Sequence, residues 1–225
     1  FNPLSAQRKI ATQLLESREE IERIFRVFKN RKITCRCNRQ SPHLSANKFM
    51  KILSIETSCD ETGITILNVT GNENNPVFEI LANNLSSQIK IHAQYGGVYP
   101  ALAKREHIKN LPILLEKTLK KLKLEKNKKP VDMIAVTSGP GLEPALWTGI
   151  VFAKELSKKW NVPVVPVNHM EGHVLSVFAK NGKFKIPKIK FPALSLLVSG
   201  GHTELVLVKD WMKYKKIGET CDDAA

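Results

Sequence analysis

Two histidines four residues apart, His169 and His173, stand in the stretch Asn168-His169-Met170-Glu171-Gly172-His173, directly after the apolar run 162–167. On a helix this spacing sets both imidazoles on one face, one turn apart. Two neutral imidazoles so placed can bind one divalent transition metal, with further ligands and open positions supplied from elsewhere. The same spacing also serves a surface or capping pair, so the residues around it have to decide. Zinc proteases place a general-base Glu directly after the first His. Here Glu171 sits two positions on, about 200° around a helix of 3.6 residues per turn, and points away from the metal face. The metalloprotease reading fails on that offset.

Three turns elsewhere carry groups able to complete a site. Ser138-Gly139-Pro140-Gly141 lies between a strand-like run and a helical one, where glycines permit close approach of a ligand and the N–H groups opening a helix favour an anion. Ser199-Gly200-Gly201 offers a tight hairpin whose bare backbone suits phosphates, although a Gly-Gly hairpin also serves simply as a turn. Asp60 and Glu61 supply carboxylates that could hold a metal-bound phosphate or orient a reacting group. Jointly these groups describe a nucleotide cleft between two lobes.

The elements that must position them are legible in the hydrophobic pattern. Residues 52–57, 64–67 and 78–85 are strand-like runs and predict a meander. Leu102, Ile108, Leu111, Leu115, Leu119 and Leu122 repeat at helical spacing. Residues 131–137 read as a buried strand, 144–160 as a helix with proline near its first turn, and 162–167 as another strand. This order predicts an α/β lobe whose later strands are joined by right-handed crossovers. After the His169 helix, runs at 193–198, 204–208 and 214–219 repeat the opening design, as an internal duplication would. The expected organisation is an extension over 1–49, a first lobe over 50–190 and the start of a second over 191–225.

Composition adds bounds. The chain has 225 residues, 42% hydrophobic and 25% charged, ordinary for a soluble globular protein. No stretch approaches 18 apolar residues, so no membrane segment is predicted, and the absence of a targeting signal favours the cytoplasm over a mitochondrial matrix. Cys35, Cys37, Cys59 and Cys221 form no framework, which favours free thiols in a reducing compartment. Of the net charge of +14, half belongs to residues 1–49, with 11 Lys and Arg against four Glu. Elsewhere Lys117, Lys120, Lys121, Lys123, Lys126, Lys128 and Lys129 crowd the end of one helical segment, either a solvated face or a contact for phosphate backbone.

Within the extension, Ile10, Leu14, Ile21, Ile24, Phe25 and Phe28 predict an amphipathic helix over 3–28, followed by a basic linker. The first methionine is Met50, just before the first strand, so the functional protein is expected to start there.

Several of these stretches, in order, resemble motifs of one family. They are Ser54-Ile55-Glu56-Thr57-Ser58-Cys59-Asp60-Glu61-Thr62, His92-Ala93-Gln94-Tyr95-Gly96-Gly97-Val98-Tyr99-Pro100, Gly139-Pro140-Gly141, His169-Met170-Glu171-Gly172-His173 and Leu197-Val198-Ser199-Gly200-Gly201-His202-Thr203. They look like the TsaD family, tRNA N6-adenosine threonylcarbamoyltransferases, from about Met50 to Ala225. The resemblance implies an actin-like ATPase (ASKHA) fold with two ribonuclease-H-like lobes. It implies transfer of a threonylcarbamoyl group from threonylcarbamoyl-AMP to N6 of the adenosine 3′ of the anticodon, in tRNAs reading codons that begin with adenine. Carried onto this chain, it makes His169 and His173 ligands of one divalent metal ion, iron or zinc. It makes Leu197, Val198, Ser199, Gly200 and Gly201 the lining for ATP or threonylcarbamoyl-AMP, with Asp60 and Glu61 catalytic and facing the phosphate end. The partners it implies are tRNA and, in bacteria, a TsaB-type paralogue and a TsaE-type ATPase.

In the family, the stretch resembling Thr220-Cys221-Asp222-Asp223-Ala224-Ala225 continues into Gly-Glu-Ala-Phe-Asp-Lys, and a later Asp is the third protein ligand. Neither lies within these residues, so the expectation is an incomplete member with a second lobe cut short, a weakened metal site and no activity by itself. Two readings compete: a non-catalytic partner-binding lobe, and an actin-fold small-molecule kinase, which gives the paired histidines no role.

Overall fold

The computed structural model describes residues 49–72, 75–125, 128–179, 182–198, 203–211 and 213–221. The helix expected over 3–28, the Ser199-Gly200-Gly201 hairpin and Asp222 and Asp223 lie outside the described residues.

Strand β1 (Met50–Glu56) turns Leu53 and Ile55 into the core, and β2 (Glu61–Asn72) answers with Ile64 and Ile66. Ile55 pairs with Ile64 and Leu53 with Ile66, so the two-residue alternation meets in register. β3 (Asn75–Ser87) pairs antiparallel with β2 and completes the meander. A short helix α1 (Ile89–His92) and a 3-10 turn (Ala93–Tyr95) follow; neither has enough residues to show a helical period.

Helix α2 (Pro100–Lys121) starts on proline, whose missing N–H is not needed in the first turn. Its stripe of Ala103, His107, Leu111, Leu114, Leu115, Thr118 and Leu119 is buried. Strand β4 (Met133–Gly139) leads to helix α3 (Glu143–Trp160), which buries Ala145, Leu146, Gly149, Ala153, Leu156 and Trp160. Strand β5 (Val164–Asn168) begins later than the apolar run suggests. Val162 N–H is already taken by the Ser157 carbonyl, and Pro163 has no N–H to offer a neighbour. Helix α4 (His169–Ser176) follows at once.

Strand β6 (Lys183–Lys185) was not legible in its three residues. It closes the edge beside β3, with Phe184 stacked on Phe78 at 5.5 Å between ring centroids. The first sheet has the order β5-β4-β1-β2-β3-β6, with β1, β4 and β5 parallel and the other pairs antiparallel. A three-stranded meander extended by two parallel strands beside its first strand is the ribonuclease-H-like lobe of actin-like ATPases, so the expected α/β fold is the one observed. Helices α2 and α3 pack against one another and against this sheet, around Leu53, Ile64, Ile66, Leu115, Ile134 and Trp160. Each such side chain contributes about 1.5–3 kcal/mol of burial.

A second, antiparallel sheet has the order β7 (Ala193–Val198), β8 (Thr203–Asp210) and β9 (Lys213–Glu219). Its small core of Leu197, Val206 and Val208 receives Met170 and Val174 from α4. Helix α4 therefore presents an apolar stripe, four residues apart, to the second sheet. The first sheet leads straight into that helix.

Candidate metal centre and the turn beside it

The carboxyl ends of the three parallel strands build the site, as is general for ligand positions in α/β sheets. Pairing of Ile55 with Val136 brings Glu56 beside Thr137, while Thr137 is opposite Val167 and Gly139 opposite Asn168. Asn168 is extended and caps α4, its Oδ1 accepting from the N–H groups of Met170 at 2.8 Å and Glu171 at 3.2 Å. His169 thus emerges one strand away from Thr137 and two from Glu56.

Thr137 Oγ1 donates to Glu56 Oε2 at 2.5 Å and the Ser58 N–H donates to Oε1 at 2.6 Å. His169 Nδ1 lies 3.3 Å from Glu56 Oε2 and 3.2 Å from Ser58 Oγ. Burial pushes the Glu56 carboxyl up, but hydrogen bonds from His169, the Ser58 side chain, Thr137 and the Ser58 backbone outweigh it and bring the pKa down to about 2. A carboxylate can only accept, so His169 Nδ1 carries the hydrogen, which in the neutral ring leaves the lone pair on Nε2. That Nε2 faces His173 Nε2 at 3.0 Å, with the rings at 86°.

This geometry fits a metal ion. Two nitrogens bound at about 2.0–2.1 Å to one ion stand about 2.9 Å apart at a right angle and about 3.3 Å at the tetrahedral angle. The observed separation falls between. A carboxylate on the far nitrogen of a ligating histidine is the usual device for fixing its tautomer and raising its basicity. Among the described residues no group of three His, Cys, Asp or Glu side chains of metal-binding size is present. Glu171, the residue offset from the protease pattern, has its carboxyl pushed up by burial.

Residues 57–60, which join β1 to β2, are held from several sides. Thr57 Oγ1 donates to the Ala145 carbonyl at 3.0 Å; the Ser58 carbonyl accepts from Leu142 N–H at 2.7 Å; the Cys59 carbonyl accepts from His107 Nε2 at 2.9 Å; the Asp60 carbonyl accepts from Gln88 N–H at 2.9 Å. A Cβ at Gly141 would stand 2.7 Å from the Ser58 carbonyl oxygen. The close approach that this glycine permits is therefore to the chain's own turn, a role that the loop's sequence did not distinguish from ligand binding.

His107 and His92 belong to one buried polar unit under this turn. Because His107 Nε2 donates to Cys59, its Nδ1 accepts from Thr62 Oγ1 at 2.8 Å and from Gln88 Nε2 at 3.3 Å. Gln88 Oε1 accepts from His92 Nε2 at 3.0 Å, and His92 Nδ1 accepts from Tyr99 N–H at 3.3 Å. Burial pulls the His107 pKa down, against opposing contributions from the Cys59 carbonyl, Glu56 and Asp60, so the ring is held neutral.

Of the residues singled out by sequence, His169 and His173 are brought together. Asp60, half-buried, lines an open depression beside their turn, and half-buried Glu61 opens β2. Leu197 is in the small core of the second sheet, whereas Val198 is 65% exposed; Ser199, Gly200 and Gly201 are outside the described residues. Glu56, Ser58 and Thr137 were not assigned roles from the sequence. The sequence offered no local signal for them, because their partners come from neighbouring strands.

A ribonuclease-H-like lobe with paired histidines at the carboxyl ends of its parallel strands defines the class. The TsaD family profile, tRNA N6-adenosine threonylcarbamoyltransferase, matches residues 79–225. A tRNA N6-adenosine threonylcarbamoyltransferase of Fusobacterium nucleatum subsp. nucleatum is 45% identical over 175 residues, covering 78% of this chain and 47% of that protein. The chain belongs to the TsaD family and spans about half the length of this curated relative. Among solved structures, YeaZ from Pseudomonas aeruginosa is similar at 12% identity and a TM-score of 0.43, over 76% of this chain and 66% of that one. The Ppx/GppA family member of Aquifex aeolicus gives 15% identity and a TM-score of 0.40, over 78% and 52%.

Proposed function

We propose that this chain supplies the metal-holding lobe of a transferase that moves threonylcarbamoyl from threonylcarbamoyl-AMP to N6 of the adenosine 3′ of the tRNA anticodon. The observation that carries the reading is the meeting of His169 Nε2 and His173 Nε2 at 3.0 Å, with Glu56 fixing the tautomer of His169. His169 and His173 would hold one iron or zinc ion. When bound, that ion supplies Lewis acidity toward carbamoyl or phosphate oxygens. Glu56, Thr137 and Ser58 keep the first ring oriented, and the Asp60 carboxylate, on the pinned turn, is available to accept a proton or hydrogen bond from an attacking amine. Leu197, Val198 and the Ser199-Gly200-Gly201 turn would line the nucleotide, with Glu61 near its phosphates. The lobes divide at 50–190 and 191–225 in this reading, and the partners are tRNA, a TsaB-type paralogue and a TsaE-type ATPase. No described helix is long and apolar enough to cross a membrane. The proposed location is the cytoplasm.

The test is transfer of a labelled threonylcarbamoyl group to tRNA by the purified protein supplied with zinc or ferrous iron, alone and with the two partner proteins. Retention of one metal ion per chain, lost in His169→Ala and His173→Ala together with transfer, is the expected result. A second reading is a partner-binding lobe without chemistry, which would use the outward row of Leu194, Leu196 and Val198, each more than 60% exposed on β7. Stable complex formation with metal bound but no transfer would select it.

A further inference from the structure

A chain of hydrogen bonds runs through the interior from the start of α2 to the turn that joins β1 to β2, and its direction is dictated at both ends. The Tyr99 N–H can only donate, so His92 Nδ1 accepts from it at 3.3 Å, and an imidazole that accepts at Nδ1 carries its hydrogen on Nε2. That hydrogen goes to Gln88 Oε1 at 3.0 Å, which turns the Gln88 amide nitrogen toward His107 Nδ1 at 3.3 Å. His107 then has its hydrogen on Nε2, 2.9 Å from the Cys59 carbonyl, a group that can only accept. Both ends are main-chain groups, and the links between them agree in direction. His107 is 0% exposed, Gln88 1% and His92 2%, so water does not replace a broken link. Reversing either ring would leave a buried donor facing a donor.

The chain ends one residue from the group that supports the paired histidines. Gln88 grips the turn twice: through His107, and directly, because its own N–H donates to the Asp60 carbonyl at 2.9 Å. The Ser58 carbonyl accepts from the Leu142 N–H at 2.7 Å. The peptide planes on both sides of Cys59 are thereby fixed, and with them the place of Ser58, whose Oγ lies 3.2 Å from His169 Nδ1. We propose that His107 is a positioning residue for the metal pair: by holding the Cys59 carbonyl it keeps Ser58 against His169. The proposal rests on the metal reading given above and adds a residue to it. Packing alone asks for no polar group at position 107. The same buried stripe of α2 carries Leu111 one turn on, and replacing buried hydrogen-bonding partners by apolar groups of the same shape is often nearly neutral for stability. What the polar chain adds is a defined orientation of the turn.

The experiment measures zinc affinity by chelator competition and the visible absorption of the cobalt-substituted protein, alongside the melting temperature. His107→Gln keeps a side-chain N–H for the Cys59 carbonyl but loses the accepting ring nitrogen, whereas His107→Leu loses both. Both are expected to melt below the parent. His107→Leu is expected to weaken zinc binding about tenfold, the low end for an outer partner of a metal ligand, and to alter the cobalt band. His107→Gln should keep affinity and band although it is less stable. Leu115→Ala, a core truncation about two turns further along α2, should keep both as well. Unchanged affinity in His107→Leu overturns the proposal, and so does an equal loss in His107→Gln or a like loss in Leu115→Ala. If His107→Leu does not fold, histidine nitrogen NMR spectra of the parent decide. His92 and His107 should both be Nε2–H tautomers, and the His107 signals should shift when zinc is added; signals indifferent to zinc overturn the proposal. Failure of the parent to bind zinc at all would overturn the metal reading itself, and the proposal with it.

Discussion

Glu56 and His169, 113 residues apart in sequence, meet at 3.3 Å because β1, β4 and β5 are parallel neighbours. With its pKa near 2, Glu56 is ionised at neutral pH and fixes which nitrogen of His169 is free. Glu56→Gln keeps the size of the side chain and removes the charge. We expect it to weaken zinc or iron binding about 10–100-fold, as loss of a ligand's outer partner typically does. A chelator competition titration measures this directly. Unaltered affinity, with an unaltered far-UV spectrum, would show that the carboxylate does not orient the ring.

The turn carrying Ser58 is seated so closely that two glycines are committed to it. A Cβ at Gly149 would stand 2.4 Å from Thr57 Oγ1, and one at Gly141 2.7 Å from the Ser58 carbonyl oxygen. Gly149→Ala and Gly141→Ala are each expected to lower stability by about 1–3 kcal/mol, the usual cost of overpacking. Their rescue differs. Thr57→Ala removes the side chain in the way and should recover part of the Gly149→Ala loss in a double-mutant cycle, while no side-chain deletion clears the way for Gly141→Ala, whose nearest obstacle is the Ser58 carbonyl oxygen. Additive losses at positions 57 and 149 by urea titration would contradict the contact.

How much of this was legible in the sequence depends on the range of the signal. The long helix was readable from Leu111, Leu115 and Leu119, and the meander from alternation at Leu53, Ile55, Ile64 and Ile66, because each pattern is local and repeats. Strand β6 and helix α1 span too few residues to show any period. His169 and His173 stood out since both sit on one helix. Glu56 did not, because its partner comes from another strand and nothing in its own neighbourhood encodes the strand order. Gly141 looked like a ligand-binding glycine for the same reason: sequence shows that a close approach is allowed, but not what approaches.

Burial of His107 has a consequence for acid stability. Its folded pKa is depressed below the ordinary 6.5, so the unfolded chain takes up a proton first as pH falls. The stabilising contribution is complete above pH 6.5 and is lost on acidification toward the depressed value. Glu56 and Asp60 act to raise the pKa and His92 to lower it, and the net direction is downward because burial dominates. Unfolding free energies from urea titrations between pH 7.5 and 5.5 should therefore fall, by at most about 1.4 kcal/mol per pH unit for one proton. His107→Gln is expected to be less stable throughout yet to have a flatter slope. An equal slope in the variant would assign the acid sensitivity to another group.

The lysine run lies at the opposite end of α2 from the turn that carries Asp60. A helix of 22 residues is about 33 Å long, so Lys120, Lys121 and Lys123 stand far from the paired histidines and are tested separately from them. Contacts to phosphates show in their response to salt. Charge reversal of Lys120, Lys121 and Lys123 is expected to flatten the dependence of tRNA affinity on salt, by up to about 0.9 in logarithmic slope for each phosphate left without its cation. If charge reversal leaves the salt slope unchanged, the lysines are a solvated face and the tRNA is held elsewhere.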